Sequence, residues 1–123
     1  MSKTVLIVDD SSTMRKIVTR CLRQAGLSFS KIVEAGDGLE ALQALGAEKV
    51  DLVLCDINMP NMNGIEFLKA KSENDAIKDV PVVMISTETG ADIIGEAKKY
   101  GAKGSIKKPF TPDAVNDTLS PLL

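Results

Sequence analysis

The chain reads as an α/β protein, a doubly wound parallel sheet of five strands with five helices. Three observations predict this. Short apolar runs alternate with longer stretches whose apolar residues recur at helical spacing. Three of the runs have no polar alternation, as strands covered on both faces require. At 123 residues, 44% hydrophobic and 26% charged, the chain holds one domain over residues 1–123, with a core that needs no staples.

Val5-Leu6-Ile7-Val8 is the first strand. Met14, Ile17, Val18, Cys21, Leu22 and Ala25 then follow at helix spacing, with Ser11 or Ser12 as cap and Gly26 as stop. Lys31-Ile32-Val33-Glu34-Ala35 is half polar, as an edge strand would be, and Leu39, Leu42 and Leu45 mark a second helix ending near Gly46. Leu52-Val53-Leu54-Cys55 is a third, fully apolar strand. After the turn-rich Asn58-Met59-Pro60-Asn61-Met62-Asn63-Gly64, Ile65 and Leu68 open a third helix, and Met59 and Met62 read as loop packing. Val82-Val83-Met84-Ile85 is the fourth strand, and Ile94 and Ala97 indicate a helix ending by Gly101. Gly104-Ser105-Ile106-Lys107 is a second edge strand. Ala114, Val115, Leu119 and Leu122 line the last helix, with Thr111 as cap and Pro112 in its first turn.

Composition excludes several function classes. Aromatics are 3% and Trp is absent, so the core is aliphatic. Lys+Arg 15 against Asp+Glu 17 gives a net charge of -2, which offers no basic footprint for nucleic acid and no polybasic segment for a membrane. His is 0, which removes the commonest metal ligand and every Ser-His or Cys-His catalytic scheme. Cys21 and Cys55 lie in apolar runs, far apart, and read as buried hydrophobes in a reducing compartment. With no signal peptide and no apolar run of spanning length, the expected location is the cytoplasm.

Right-handed crossovers bring the carboxyl ends of all parallel strands to one edge, where ligands of such sheets bind. Asp9 and Asp10 follow the first strand, Asp56 the third, Ser86 and Thr87 the fourth, and Lys108-Pro109 the fifth. If the order is flavodoxin-like, these ends are neighbours sharing one crevice. Three carboxylates that close repel unless a cation offsets them. An oxygen-only donor set without His or thiolate favours Mg²⁺ over zinc. A metal, an ammonium and a carboxylate nucleophile are the inventory of phosphoryl transfer to an aspartate, with the Ser86 hydroxyl able to donate to a phosphoryl oxygen.

Taken together, Asp9-Asp10, Asp56, Ser86 and Lys108-Pro109 resemble the receiver domain of bacterial two-component response regulators, over the whole chain. Val8-Asp9-Asp10-Ser11-Ser12-Thr13-Met14-Arg15 and Asp56-Ile57-Asn58-Met59-Pro60-Asn61-Met62-Asn63-Gly64 bring it nearest to the single-domain chemotaxis type. The resemblance implies the flavodoxin-like strand order 2-1-3-4-5. It implies that Asp56 is the phosphoacceptor, that Asp10, Asp56 and the Asn58 carbonyl bind Mg²⁺, and that Asp9 holds metal-bound water. Ser86 and Lys108 would hold the phosphoryl group, the Lys108-Pro109 peptide would be cis, and Asn58 and Glu88 would tune dephosphorylation. The implied partners are a histidine kinase of the chemotaxis type and a downstream protein such as the flagellar switch, with the chain acting as a monomer and its only catalysis its own phosphorylation and dephosphorylation. The sequence departs from the chemotaxis pattern at Ser105, where that type has an aromatic residue, and at Gly90 and Ala91, where a basic pair is expected. A hydroxymethyl cannot swing between pockets as a ring does, so coupling to the output face is expected to differ.

Other readings compete. The same acids could serve a Mg²⁺-dependent phosphohydrolase, although that needs a general acid and a substrate pocket. A phosphate sink of the same fold is a further alternative. Gly36-Asp37-Gly38-Leu39-Glu40-Ala41 fits the dinucleotide fingerprint, but it follows the second strand and would set a carboxylate against a pyrophosphate. Taken singly, Asp9-Asp10 and Asp56 could be turn and helix-cap acids, and Lys108 a solvated surface residue.

Overall fold

The computed structural model describes residues 3–27, 29–57, 59–86, 91–107 and 111–122, with the side chains of 86, 91–94 and 107 outside the description. Five strands, β1 (Thr4–Val8), β2 (Lys31–Ala35), β3 (Leu52–Asp56), β4 (Val82–Ser86) and β5 (Gly104–Lys107), alternate with α1 (Ser12–Gln24), α2 (Gly38–Ala47), α3 (Gly64–Ser72), α4 (Ala91–Lys99) and α5 (Pro112–Leu119). All sheet pairings are parallel, in the order β2-β1-β3-β4-β5, as expected. The two half-polar strands are the two edges.

The apolar runs are explained by burial on both faces. Along β1, Leu6 and Val8 pack with Ala41, Leu45, Phe67 and Leu68 of α2 and α3, whereas Val5 and Ile7 pack with Val18 and Leu22 of α1 and Val115 and Leu119 of α5. Alternate residues thus feed two cores, and neither face tolerates a polar residue.

Helix ends follow local chemistry. Ser11 caps α1 by accepting the Met14 N–H at 3.2 Å, and Gly26 at φ 80 lies past its end. Asp37 caps α2 through the Glu40 N–H at 2.9 Å. A reciprocal capping box between Asn63 and Glu66 starts α3. Thr111 caps α5, with Pro112 in the first turn.

Two inward assignments are corrected. Ile17 is 41% exposed and Leu39 48% exposed, although helical spacing sets both on apolar stripes. On α2 the buried positions are Gly38, Ala41 and Leu45, and at Gly38 the helix meets Met62 so closely that no β-carbon would fit. A spacing pattern marks a stripe about a third of the helix wide, and only packing decides its edges. Asp56 and Ser86 are the last residues of their strands, one place inside the expected boundary. Ile94, expected inward on α4, lies outside the described side chains, while Ala97 is buried.

Candidate functional site

Strand register builds the site. Val8 of β1 is level with Cys55 of β3, so Asp9 and Asp56 are the next residues on adjacent strands. Asp56 in turn is level with Ile85, which places Ser86 one step further along β4, and Ser86 is level with Lys107 of β5. One carboxylate oxygen from each of Asp9, Asp10 and Asp56 lies within 4.8 Å of the other two. Asp9 and Asp56 are buried and Asp10 is exposed, so the cluster opens to solvent on one side.

Each buried acid is oriented by its neighbouring backbone. Asp9 Oδ1 accepts the Ser11 N–H at 2.9 Å, and Asp56 Oδ1 accepts the Ile57 N–H at 2.8 Å. Such bonds fix where the remaining oxygens point. Arg15 secures the far side of Asp9: its Nη1 donates to the Asp9 carbonyl while its Nε pairs with Glu34 Oε1 at 2.9 Å. That ties α1, the end of β1 and edge strand β2 together beside the acids.

The donor set fits a hard divalent cation. All three ligand-bearing groups are carboxylates, and the chain contains no imidazole. Carboxylate oxygens gathered this closely could serve together as ligands of one such ion. The neighbouring thiol does not compete. Cys55 is fully buried, with Sγ donating to the Asp56 carbonyl at 3.2 Å, and burial together with the Asp56 and Asp9 charges pushes its pKa far up.

The structure brings together three of the expected site residues, Asp9, Asp10 and Asp56. It places the backbone of Ser86 at the adjacent strand end. Asn58, Glu88, Thr87, Gly90, Lys108 and Pro109 lie outside the described residues, as does the Ser86 side chain. Ser105 is exposed on β5, consistent with a residue that fills no inward pocket.

The sequence names Asp37 and Asn61 in separate turns but does not connect them. Asp37, only 6% exposed, accepts from Asn61 Nδ2 at 2.8 Å as well as from the Glu40 N–H. Those two bonds, the Asn61 contribution being larger, hold its carboxyl below the usual carboxylate range. The available signal was the Asp-Gly step before an apolar helix, an N-cap pattern. The same geometry disposes of the dinucleotide fingerprint. The Asp37 carboxylate occupies the α2 N-terminus where a pyrophosphate would sit, and Gly38 is pressed against Met62, with its N–H donating to the Met62 carbonyl at 3.0 Å.

Comparison with known proteins agrees with this geometry. Residues 5–120 match the response regulator receiver domain. The chain is 40% identical over 115 residues to the chemotaxis protein CheY of Pseudomonas aeruginosa, covering 94% of this chain and 91% of that one. It is 38% identical over 120 residues to the chemotaxis protein CheY1 of Helicobacter pylori, covering 97% and 95%. The structure of chemotaxis response regulator CheY4 of Vibrio cholerae superposes with a TM-score of 0.86 at 37% identity, each chain covered over 100% of its length. A receiver-family match over nearly the whole chain, on a parallel sheet of order β2-β1-β3-β4-β5, makes this chain a member of the response regulator receiver domains, the phosphorylation-dependent signalling modules of two-component systems.

Proposed function

We propose that this chain is a switch that takes one phosphoryl group from a histidine kinase onto Asp56 and thereby changes a partner-binding face. The observation that carries the reading is the convergence of Asp9, Asp10 and Asp56 within 4.8 Å at the carboxyl edge of the sheet. Asp10, Asp56 and the Asn58 carbonyl would hold Mg²⁺ directly and Asp9 through water. When bound, the ion offsets the carboxylate charge and the charge on the transferring phosphoryl oxygens.

The chain's own residues supply the remainder. An Asp56 carboxylate oxygen attacks phosphorus, an O–P bond forms, and the N–P bond of the donor's phosphohistidine breaks, returning the imidazole. Burial of Asp56 and its bond from the Ile57 N–H hold that oxygen in one orientation. Ser86 and Lys108 would receive the new phosphoryl oxygens, one by hydroxyl donation and one as an ammonium. The added charge would act through them on the face built by α4, β5 and α5, which we take as the output face. Because similar proteins are named for chemotaxis, the first candidates are a chemotaxis-type kinase as donor and the flagellar switch as receiver. The exposed Ser105 on that face supplies no ring, so coupling from Ser86 to the surface would not use an aromatic swing at that position.

Incubation with acetyl phosphate and Mg²⁺ tests the reading, followed by intact-mass measurement. The wild-type chain should gain one phosphoryl group and stop there, whereas Asp56→Asn should gain none while keeping its circular dichroism spectrum. Phosphorylation of Asp56→Asn would overturn the acceptor assignment. Continued turnover of phosphate esters by the wild type would show a hydrolase instead.

A further inference from the structure

The β3–α3 connection carries the candidate acceptor's neighbours, and it is pinned at two places. At its base, the Ile57 N–H donates to Asp56 Oδ1 at 2.8 Å, and the Gly64 N–H donates to the Ile57 carbonyl at 2.8 Å. At its apex, Asn61 adopts φ 63, and the Met62 N–H donates to the Pro60 carbonyl at 2.6 Å across it. A three-residue turn closed around a residue at positive φ is rare and strained, and it persists only where surrounding contacts over-determine it.

Those contacts come from α2. Asn61 Nδ2 donates to Asp37 Oδ2 at 2.8 Å, and the Met62 carbonyl accepts the Gly38 N–H at 3.0 Å. A β-carbon on Gly38 would stand 2.6 Å from Met62 Cγ and 2.9 Å from its carbonyl oxygen, so the backbones can meet only at a glycine. Asp37 is itself fixed as the α2 cap and is buried. The apex is therefore held by a rigid helix terminus.

We infer that Asp37 and Asn61 are positioning residues, a latch from the α2 terminus to the β3–α3 turn that sets divalent-cation affinity and phosphorylation rate at Asp56. The inference rests on the functional reading above. Asn58, the candidate carbonyl ligand, lies in sequence between the base at Ile57 and the latched apex. Ile57 donates directly to the Asp56 carboxylate. A turn released at Asn61 can relax along the connection to that donor, and the Asp56 oxygens lose their fixed orientation. Partners hydrogen-bonded directly to metal ligands change affinity by about 10–100-fold when removed, and this latch acts one step further out, at the lower end of that range.

Two variants remove the latch and little else. Asp37→Ser keeps a capping oxygen for α2 but is too short to reach Asn61. Asn61→Gly keeps easy access to positive φ but has no side chain to donate. Mg²⁺ affinity is read by NMR titration of the unphosphorylated chain, phosphorylation rate by acetyl phosphate and intact mass, and stability by thermal melting. Each variant should bind Mg²⁺ about tenfold more weakly and phosphorylate more slowly. The exchanged pair Asp37→Asn with Asn61→Asp, which restores a donor facing an acceptor, should recover most of both.

If both variants melt earlier but match the wild type in Mg²⁺ affinity and rate, the pair is merely structural and the inference fails while the acceptor assignment stands. If the wild type itself neither binds Mg²⁺ nor gains phosphate, the functional reading fails and the latch falls with it.

Discussion

Gly64 brings its α-carbon so close to the carbonyl oxygen of Asp56 that a β-carbon there would overlap it. The same β-carbon would lie 2.8 Å from Met84 Cε and 3.0 Å from the Ile57 α-carbon. The obstacle is largely backbone at the end of β3, which cannot turn aside as a long side chain could. Gly64→Ala should therefore cost about 2 kcal/mol or more, as overpacking in rigid surroundings does. Urea denaturation would register the loss, and Mg²⁺ affinity should fall with it because the displaced strand end carries the Asp56 carboxylate.

Acid stability should depend on Asp37. Its carboxyl is held below the ordinary value of 3.8 by the Asn61 side chain first and then by the Glu40 N–H. A carboxylate with a lowered folded pKa stabilises the fold fully above the unfolded value, and that contribution disappears as pH falls through the folded value. Asp37→Asn retains a cap oxygen and cannot titrate. The stability gap between wild type and Asp37→Asn should thus be constant near neutrality and shrink below about pH 4, as read by urea midpoints across the acid range.

Lys71 behaves in the opposite sense. It is 4% exposed on α3, with Nζ donating to the Lys78 carbonyl at 2.9 Å. Burial lowers its pKa from 10.5; Asp79 opposes this and Lys103 adds to it. The folded state therefore disfavours the ammonium. That penalty is fully present at neutral pH and lifts as pH rises from the folded value toward the unfolded one. Lys71→Met, with an unbranched chain of similar reach, removes that penalty and should gain stability over the wild type at pH 7, less what the lost bond to the Lys78 carbonyl contributes. Its advantage should narrow as the alkaline limit near 10.5 is approached, in denaturant titrations at stepped pH.

Both thiols should be silent in the native protein. Cys21 and Cys55 are both buried thiols, not joined in a disulfide. Burial raises both pKa values, opposed by Arg20 at Cys21 and reinforced by Asp56 and Asp9 at Cys55. Ellman's reagent at pH 8 should label neither on the timescale in which both react in denaturant. Rapid native labelling of Cys55 would mean that β3 opens beside the acidic cluster.

A quieter pair of substitutions checks the corrected helix faces. Ile17→Lys and Leu39→Lys alter exposed positions and should shift stability by less than about 0.5 kcal/mol. Leu22→Ala, one turn along the buried face of α1, should cost about 2–5 kcal/mol by leaving a cavity under the sheet. Parallel thermal melts of the three would separate the two classes.

The chain alone determines the strands, the helices and the edge at which chemistry collects. Unbroken runs such as Leu52-Val53-Leu54-Cys55 can be buried only on both faces, and right-handed crossovers then leave Asp9, Asp10 and Asp56 at one end. Tertiary structure decided what periodicity cannot express. Whether Leu39 or Ala41 faces inward depends on how near α2 lies to the sheet, a distance set by both surfaces together. The Asp37–Asn61 bond joins residues 24 apart, and no local pattern announces a hydrogen bond between two loops that meet only after the sheet has formed. Short-range spacing records the backbone's own repeat, whereas contacts between distant turns exist only once the strands have fixed where those turns begin.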